Sequence, residues 1–163
     1  METRAVSLRA VALPASARGR LWLSAMPGRF EPWTHFLAQA AQARLGLVVC
    51  LTPRDELASL SPDYELALMQ GSLPFEWMHL PMRNFGLPDD PVGFRTGIER
   101  LAVQLQAGHS AMLHCAAGMG RTGSAAACVL KRLGLTAEQA LQRVRDAGSN
   151  PQNASQSGFV NWF

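Results

Sequence analysis

The chain has 163 residues, 48% of them hydrophobic and 17% charged, enough for a single domain over residues 1–163 with one core. Lys+Arg 15 against Asp+Glu 12 leaves a net charge of +3, which admits anionic ligands but is too small to argue for a nucleic-acid surface. No apolar run approaches the ~18 residues of a membrane span, and the arginine-bearing N-terminus lacks the unbroken apolar stretch of a secretory signal.

In chain order, Val6 to Leu13 and Arg20 to Ala25 alternate apolar and polar residues, which predicts an antiparallel pair of strands. Glu31-Pro32 opens a helix through Phe36, Leu37, Ala40 and Ala41 that stops at Gly46. LGLVVCLT reads as a buried strand ending near Thr52. Pro53 to Gly71 is helical in pieces, and Phe75 to Leu80 is a strand closed by Pro81. The loop RNFGLPDDP follows. Phe94, Ile98, Leu101 and Leu105 give Val92 to Ala107 a helical period ending at Gly108. Ala111 to His114 is a short buried strand, and Arg121 to Leu133 an apolar helix ending at Gly134. Thr136-Ala-Glu-Gln has the form of a capping box for a helix up to Gly148, and the tail forms a last short helix. Strands alternating with helices predict an α/β fold: a central, mostly parallel sheet flanked by helices, with its site at the carboxyl ends of the strands.

Three cysteines cannot build a disulfide framework. LVVC, LHCAAG and AAACVL are apolar settings, so a reduced, cytoplasmic protein is expected.

The chemistry lies in Leu113-His-Cys-Ala-Ala-Gly-Met-Gly-Arg-Thr-Gly123. Cys115 stands where a buried strand ends, and Arg121 where a helix begins. The five residues between them, Ala116, Ala117, Gly118, Met119 and Gly120, let the backbone wrap into a cup of inward N–H groups. A helix N-terminus adds positive potential, so the cup suits a phosphate dianion and a thiolate. Arg121 can hold two phosphoryl oxygens through its planar fork. A thiolate beneath a clamped phosphate is a phosphoryl-transfer nucleophile.

His114-Cys115-x5-Arg121-Thr122 resembles the signature of the cysteine-dependent protein tyrosine phosphatase superfamily. The chain length resembles its compact dual-specificity branch, and within that branch the group of cyclin-dependent kinase-associated phosphatase and its prokaryotic relatives. The likeness runs from about Leu47 to the C-terminus. It includes Cys50, Thr52-x-Arg54-Asp-Glu56-Leu57, His79-Leu-Pro81, Gln152 and Gln156. The resemblance implies the dual-specificity phosphatase fold. It also implies a phosphocysteine on Cys115, with phosphate held by the amides of Ala116 to Arg121 and by the Arg121 side chain. The Thr122 hydroxyl eases departure of the thiolate, and His114 orients the loop from behind. Asp55 and Glu56 read first as a helix start, while the family position makes Glu56 alternatively a support for Arg121; Gln156 helps to position water. Cys50 is a buried strand cysteine or, as in related phosphatases, a thiol that forms a reversible disulfide with oxidised Cys115. No metal or cofactor is implied, and His35, His79 and His109 have no ligand spacing. The expected partner is a phosphorylated protein or small phosphomonoester, with the chain a monomer.

The sequence departs from the family at the general acid. The usual arrangement is proline, two residues, aspartate and a downstream proline; here Pro81-Met-Arg-Asn84 puts an amide in that place. Asp89 is the first candidate for a displaced acid and Asp90 the second, and Asp-Asp-Pro is equally a helix-capping signal. Asn84 also admits a rival reading, a weak or inactive phosphate-binding module. A remoter rival is a dinucleotide site, since Gly118-x-Gly120-x-x-Gly123 fits that fingerprint with Glu138 downstream. Glu138, however, falls in a helical run, and 40 residues after Gly123 are too few for the rest of that fold. Cys128 reads as core, and so do Trp162 and Phe163, with a dimer contact as the alternative for that terminal aromatic pair. Arg83 is placed near the pocket, where it could bind a second acidic group.

Overall fold

The apolar runs LWL, LGLVVC and SAML are each too short for a stable helix and lie between Gly, Pro or polar residues; all three are strands. The computed structural model describes residues 8–83, 87–151 and 154–163, with the backbone alone over 154–157. In chain order it has β1 (Arg9–Val11), β2 (Arg20–Ser24), α1 (Trp33–Gln42), β3 (Leu45–Cys50), α2 (Arg54–Leu60) and α3 (Pro62–Met69). Then come β4 (Glu76–His79), α4 (Pro91–Gln106), β5 (Ser110–His114), α5 (Gly120–Arg132), α6 (Ala137–Asp146) and α7 (Ala154–Trp162).

The sheet order is β1-β2-β5-β3-β4. β1 runs antiparallel to β2, and every other pairing is parallel. The expected antiparallel pair is therefore an edge, and β2 joins the parallel set through β5. In register, Ser24 faces His114, His114 faces Cys50, and Cys50 faces His79. The carboxyl ends of four strands thus form one rim, and the loops that leave it build the site.

Strand alternation divides the core between two faces. Leu47, Val49, Leu113 and Cys115 pack with Phe94, Ile98, Leu101 and Leu105 of α4 and with Ala125, Ala126 and Val129 of α5. On the other face Val48 and Met112 meet Phe36 and Ala40 of α1. Cys50 lies there with Met26, Leu57 and Tyr64. The helix α5 is buried from Gly120 to Leu130, so it is the inner helix of its layer. The capping box at Thr136 forms, with Thr136 Oγ1 accepting from Gln139 N–H and Gln139 answering Thr136 N–H.

Two expectations are corrected. Gly46 does not end the first helix. Arg44 does so in the left-handed region (φ 54), and Gly46 lies inside β3 where the register shifts between Leu45 and Leu47. Trp162 is not core: it is 69% exposed, with the Arg95 guanidinium stacked over its ring. Phe163 does pack against the main cluster.

Candidate active site

β5 ends at His114, and the chain then turns through residues 115–119 into α5. Gly118 makes the turn possible. Its φ is +75, and a Cβ would stand 2.7 Å from the Ser24 carbonyl and the Ala25 nitrogen, so no larger residue fits against the end of β2.

The carbonyls of this loop are held from outside. Ala116 O accepts from Met26 N–H (3.2 Å) and from Arg29 Nη1 (2.9 Å). Gly118 O accepts from Arg9 Nη2 (2.7 Å) and from the Ser149 hydroxyl. Met119 O accepts from Gly123 N–H (2.8 Å) within the helix start and, at 3.4 Å, from Asn150 N–H. A peptide unit whose carbonyl is pulled outward turns its N–H inward. The loop thus forms a concave nest of amides at the start of α5, the arrangement that favours an anion.

Cys115 lies at the bottom of the nest, 3% exposed. Its Sγ accepts from Gly118 N–H (3.3 Å) and from the Thr122 hydroxyl (3.0 Å). Arg121 is 2% exposed and is held by a two-pronged pair with Glu56: Nη2 to Oε1 at 2.6 Å and Nη1 to Oε2 at 3.0 Å. Nη1 also donates to Met82 O at 2.9 Å. Burial works against the Arg121 charge, but Glu56 and the neighbouring Cys115 more than restore it, so the guanidinium titrates above its ordinary value. Its Nε–H is buried and meets no acceptor among the described residues. A buried, unpaired guanidinium donor beside an amide nest is poised for an oxygen that arrives with a ligand.

Behind the loop runs a neutral relay. Trp77 Nε1–H donates to Tyr64 Oη (2.8 Å), and Tyr64 O–H lies 2.8 Å from His114 Nε2. His114 Nδ1 stands 3.2 Å from Cys115 O, which can only accept. The proton therefore belongs on Nδ1, and Nε2 accepts from the tyrosine. Burial pushes the His114 imidazole down to about 4, so it is neutral.

Residues 30–158, most of the chain, match the family described as Swiss Army Knife protein, DSP-PTPase phosphatase domain. The chain belongs to this family. It is a phosphatase domain of the protein tyrosine/dual-specificity type. A kinase-associated phosphatase with its catalytic-site cysteine substituted by serine shares 22% identity over 98% of this chain and 94% of its own, with a TM-score of 0.83. Tk-PTP in its active form shares 24% identity over 91% and 95%, with a TM-score of 0.70. The human tyrosine phosphatase-like serine/threonine/tyrosine-interacting protein shares 16% over 94% and 93%, with a TM-score of 0.68. At these identities the likeness is one of fold. No curated protein matches the chain in sequence.

The phosphatase domain brings together Cys115, Ala116 to Gly120, Arg121, Thr122, His114 and Glu56. Cys50 stands beside His114, its register partner across β3 and β5. The Cys50 side chain packs on the other face of the sheet, with its Sγ 3.2 Å from Thr52 Oγ1. Burial pushes its thiol up to about 11. All three cysteines are free thiols, and burial pushes Cys128, in the core, up to about 12.

Asp90 is the N-cap of α4, its side chain accepting from Gly93 N–H at 3.1 Å. Asp89 is exposed, at the foot of the loop whose stems are joined by the Met82–Pro88 bridge, and its N–H donates to Pro81 O (3.1 Å). Asn84, Gln152 and the Gln156 side chain lie outside the described residues. Glu138 stands in the first turn of α6 and not at a strand end, so the dinucleotide reading is set aside.

Sequence reasoning missed Arg9, Arg29, Tyr64, Trp77 and Ser149. Arg9 and Tyr64 reach their partners across 109 and 50 residues of chain, and no local motif announces such contacts.

Proposed function

We propose that this phosphatase domain hydrolyses phosphomonoesters through a phosphocysteine on Cys115. The observation that carries the reading is the sulfur with two donors, at the bottom of an amide nest, beside a guanidinium whose Nε–H meets no acceptor among the described residues. In the first half-reaction the Cys115 thiolate attacks phosphorus, the S–P bond forms and the P–O ester bond breaks. The leaving oxygen takes a proton from a general acid. The three non-bridging oxygens are held by the amides of residues 116–121 and by Arg121, which Glu56 keeps aimed. In the second half-reaction water attacks phosphorus, the S–P bond breaks, and inorganic phosphate leaves. The Thr122 hydroxyl, already on the sulfur, stabilises the departing thiolate. Gln156 is proposed to position that water.

Asp89 is the proposed acid. It is an exposed carboxylate beside Pro81, whereas Asp90 is engaged as a helix cap. The substrate class is a phosphorylated protein, with phosphotyrosine as the default and Arg83, exposed next to Met82, available for a neighbouring acidic group. Three free thiols suit a reducing, cytoplasmic setting, in which the chain acts as a monomer. Among the described residues, no helix is long and apolar enough to cross a membrane.

The test is hydrolysis of p-nitrophenyl phosphate in chelator, with acid quench to trap the phosphoenzyme. Wild type should turn over and trap phosphate on Cys115, and Cys115→Ser should do neither. Asp89→Asn should slow an alkyl phosphate about 10²-fold and the activated aryl ester much less. Phosphate binding without turnover in the wild type would replace this reading with a phosphate-binding module.

A further inference from the structure

The geometry points to Arg9, outside the signature, as a positioning residue that fixes the Gly118–Met119 peptide of the phosphate loop and lends it positive charge from behind. The inference rests on the phosphate-binding role proposed for the nest.

Arg9 begins β1, the edge strand, yet its side chain reaches the loop. Nη2 donates to Gly118 O at 2.7 Å. Nη1 donates to Ser149 Oγ at 3.0 Å and to Ala147 O at 2.9 Å. The Ser149 hydroxyl donates in turn to the same Gly118 carbonyl. One carbonyl therefore receives two donors, one of them charged. Gly148 leaves room for this: its φ is +87, and a Cβ there would stand 2.9 Å from Arg9 Nη1.

The consequence follows from peptide geometry. Gly118 O and Met119 N–H belong to one rigid plane. With the oxygen held outward, the N–H is held toward the nest. Rotating this peptide would forfeit two hydrogen bonds, one charge-assisted, and would turn a carbonyl dipole toward the bound anion. The guanidinium is also close enough to Cys115 for the two to interact: burial pulls the Arg9 titration down, and Cys115 works in the opposite direction.

A role in fold alone would be shared by any tether between the first two strands and α6. Arg143 is such a tether. Its Nη1 donates to Ala12 O at 3.0 Å, and among the described residues it makes no hydrogen bond to the loop.

The experiment measures tungstate affinity by calorimetry and the rate of Cys115 alkylation by iodoacetamide at pH 6, for Arg9→Ala, Arg9→Lys, Ser149→Ala and Arg143→Ala. Arg9→Ala should weaken tungstate about tenfold and slow alkylation about threefold. Arg9→Lys should recover the alkylation rate, which follows charge, and only part of the tungstate affinity, which follows the joint hold of Nη2 on Gly118 O and Nη1 on Ser149. Ser149→Ala should weaken tungstate and leave alkylation unchanged. Should Arg9→Ala fail to fold, the lysine and Ser149 variants read the same contact. Wild-type values in Arg9→Ala, or the same losses in Arg143→Ala, would overturn the inference. Neither readout requires turnover, so an absence of hydrolysis in the wild type would defeat the phosphatase mechanism and leave this result standing.

Discussion

His114 and Cys115 are neighbours in sequence and face opposite ways. His114 enters the face that carries α1 to α3, where Tyr64, Trp77 and Cys50 surround it. His114 and Cys50 are held neutral there: burial lowers the imidazole to about 4 and raises the Cys50 thiol to about 11. Cys115 enters the other face, where Arg121 and Arg9 gather charge, Glu56 reaches Arg121 from α2, and the loop amides point inward. One strand end thus separates a neutral support from a charged site. Damage to the charged side should cost rate, and damage to the neutral side should cost stability.

The largest effect on rate is expected at Arg121. Lysine keeps the charge but loses the planar fork and cannot reproduce the two-pronged contact with Glu56. Arg121→Lys should lower kcat/KM for p-nitrophenyl phosphate about 10²–10³-fold while the unfolding midpoint moves little. A large loss of stability with unchanged kcat/KM would invert the proposed division.

Glu56 tests the boundary. It is 25% exposed in its side chain, and its partner is 2% exposed. Glu56→Gln should lower kcat about tenfold by letting Arg121 turn away from the phosphate. Steady-state kinetics check this: a rise in KM alone would mean that Arg121 stays aimed without its carboxylate.

The charged side was the more legible in the sequence, for a physical reason. Cys115 to Thr122 is one contiguous turn, so its chemistry is compressed into spacing. The strands and helices were legible too, because their burial follows period 2 and period 3.6. The supports were not. No local pattern sets Tyr64, Trp77 or Arg9 apart. Their roles exist only once the sheet order brings distant segments to one rim. Gly46 misled because a glycine after a helix is the usual left-handed cap. Here Arg44 takes that conformation, two residues earlier.

The neutral side predicts a pH dependence of stability. The folded imidazole of His114 is lowered from 6.5 to about 4, so the unfolded chain binds its proton first as pH falls. The contribution is fully present above pH 6.5 and is lost as pH drops toward 4. The gap corresponds to about 3 kcal/mol. Urea unfolding of wild type and His114→Gln at pH 7 and pH 4.5 should show the variant losing less on acidification. Equal losses would mean that other groups carry the acid sensitivity.

The smallest effect is at Tyr64, and it separates the two sides most sharply. Its hydroxyl accepts from Trp77 and donates to His114, so Tyr64→Phe leaves a half-buried donor and a buried acceptor without this partner. An unmet buried group costs about 1–3 kcal/mol, while the ring and its packing against Trp33 are retained. The variant should therefore unfold at lower urea by about 2 kcal/mol. Its kcat should stay within about twofold, because the contact from His114 to Cys115 O runs through Nδ1, which the substitution does not touch. Only if His114 changes tautomer, with the proton moving to Nε2 and the hold on Cys115 O released, would the loss pass through the sheet to the nest. A kcat that fell with stability in Tyr64→Phe would place the relay inside the catalytic machinery, and the two faces would have to be counted as one site.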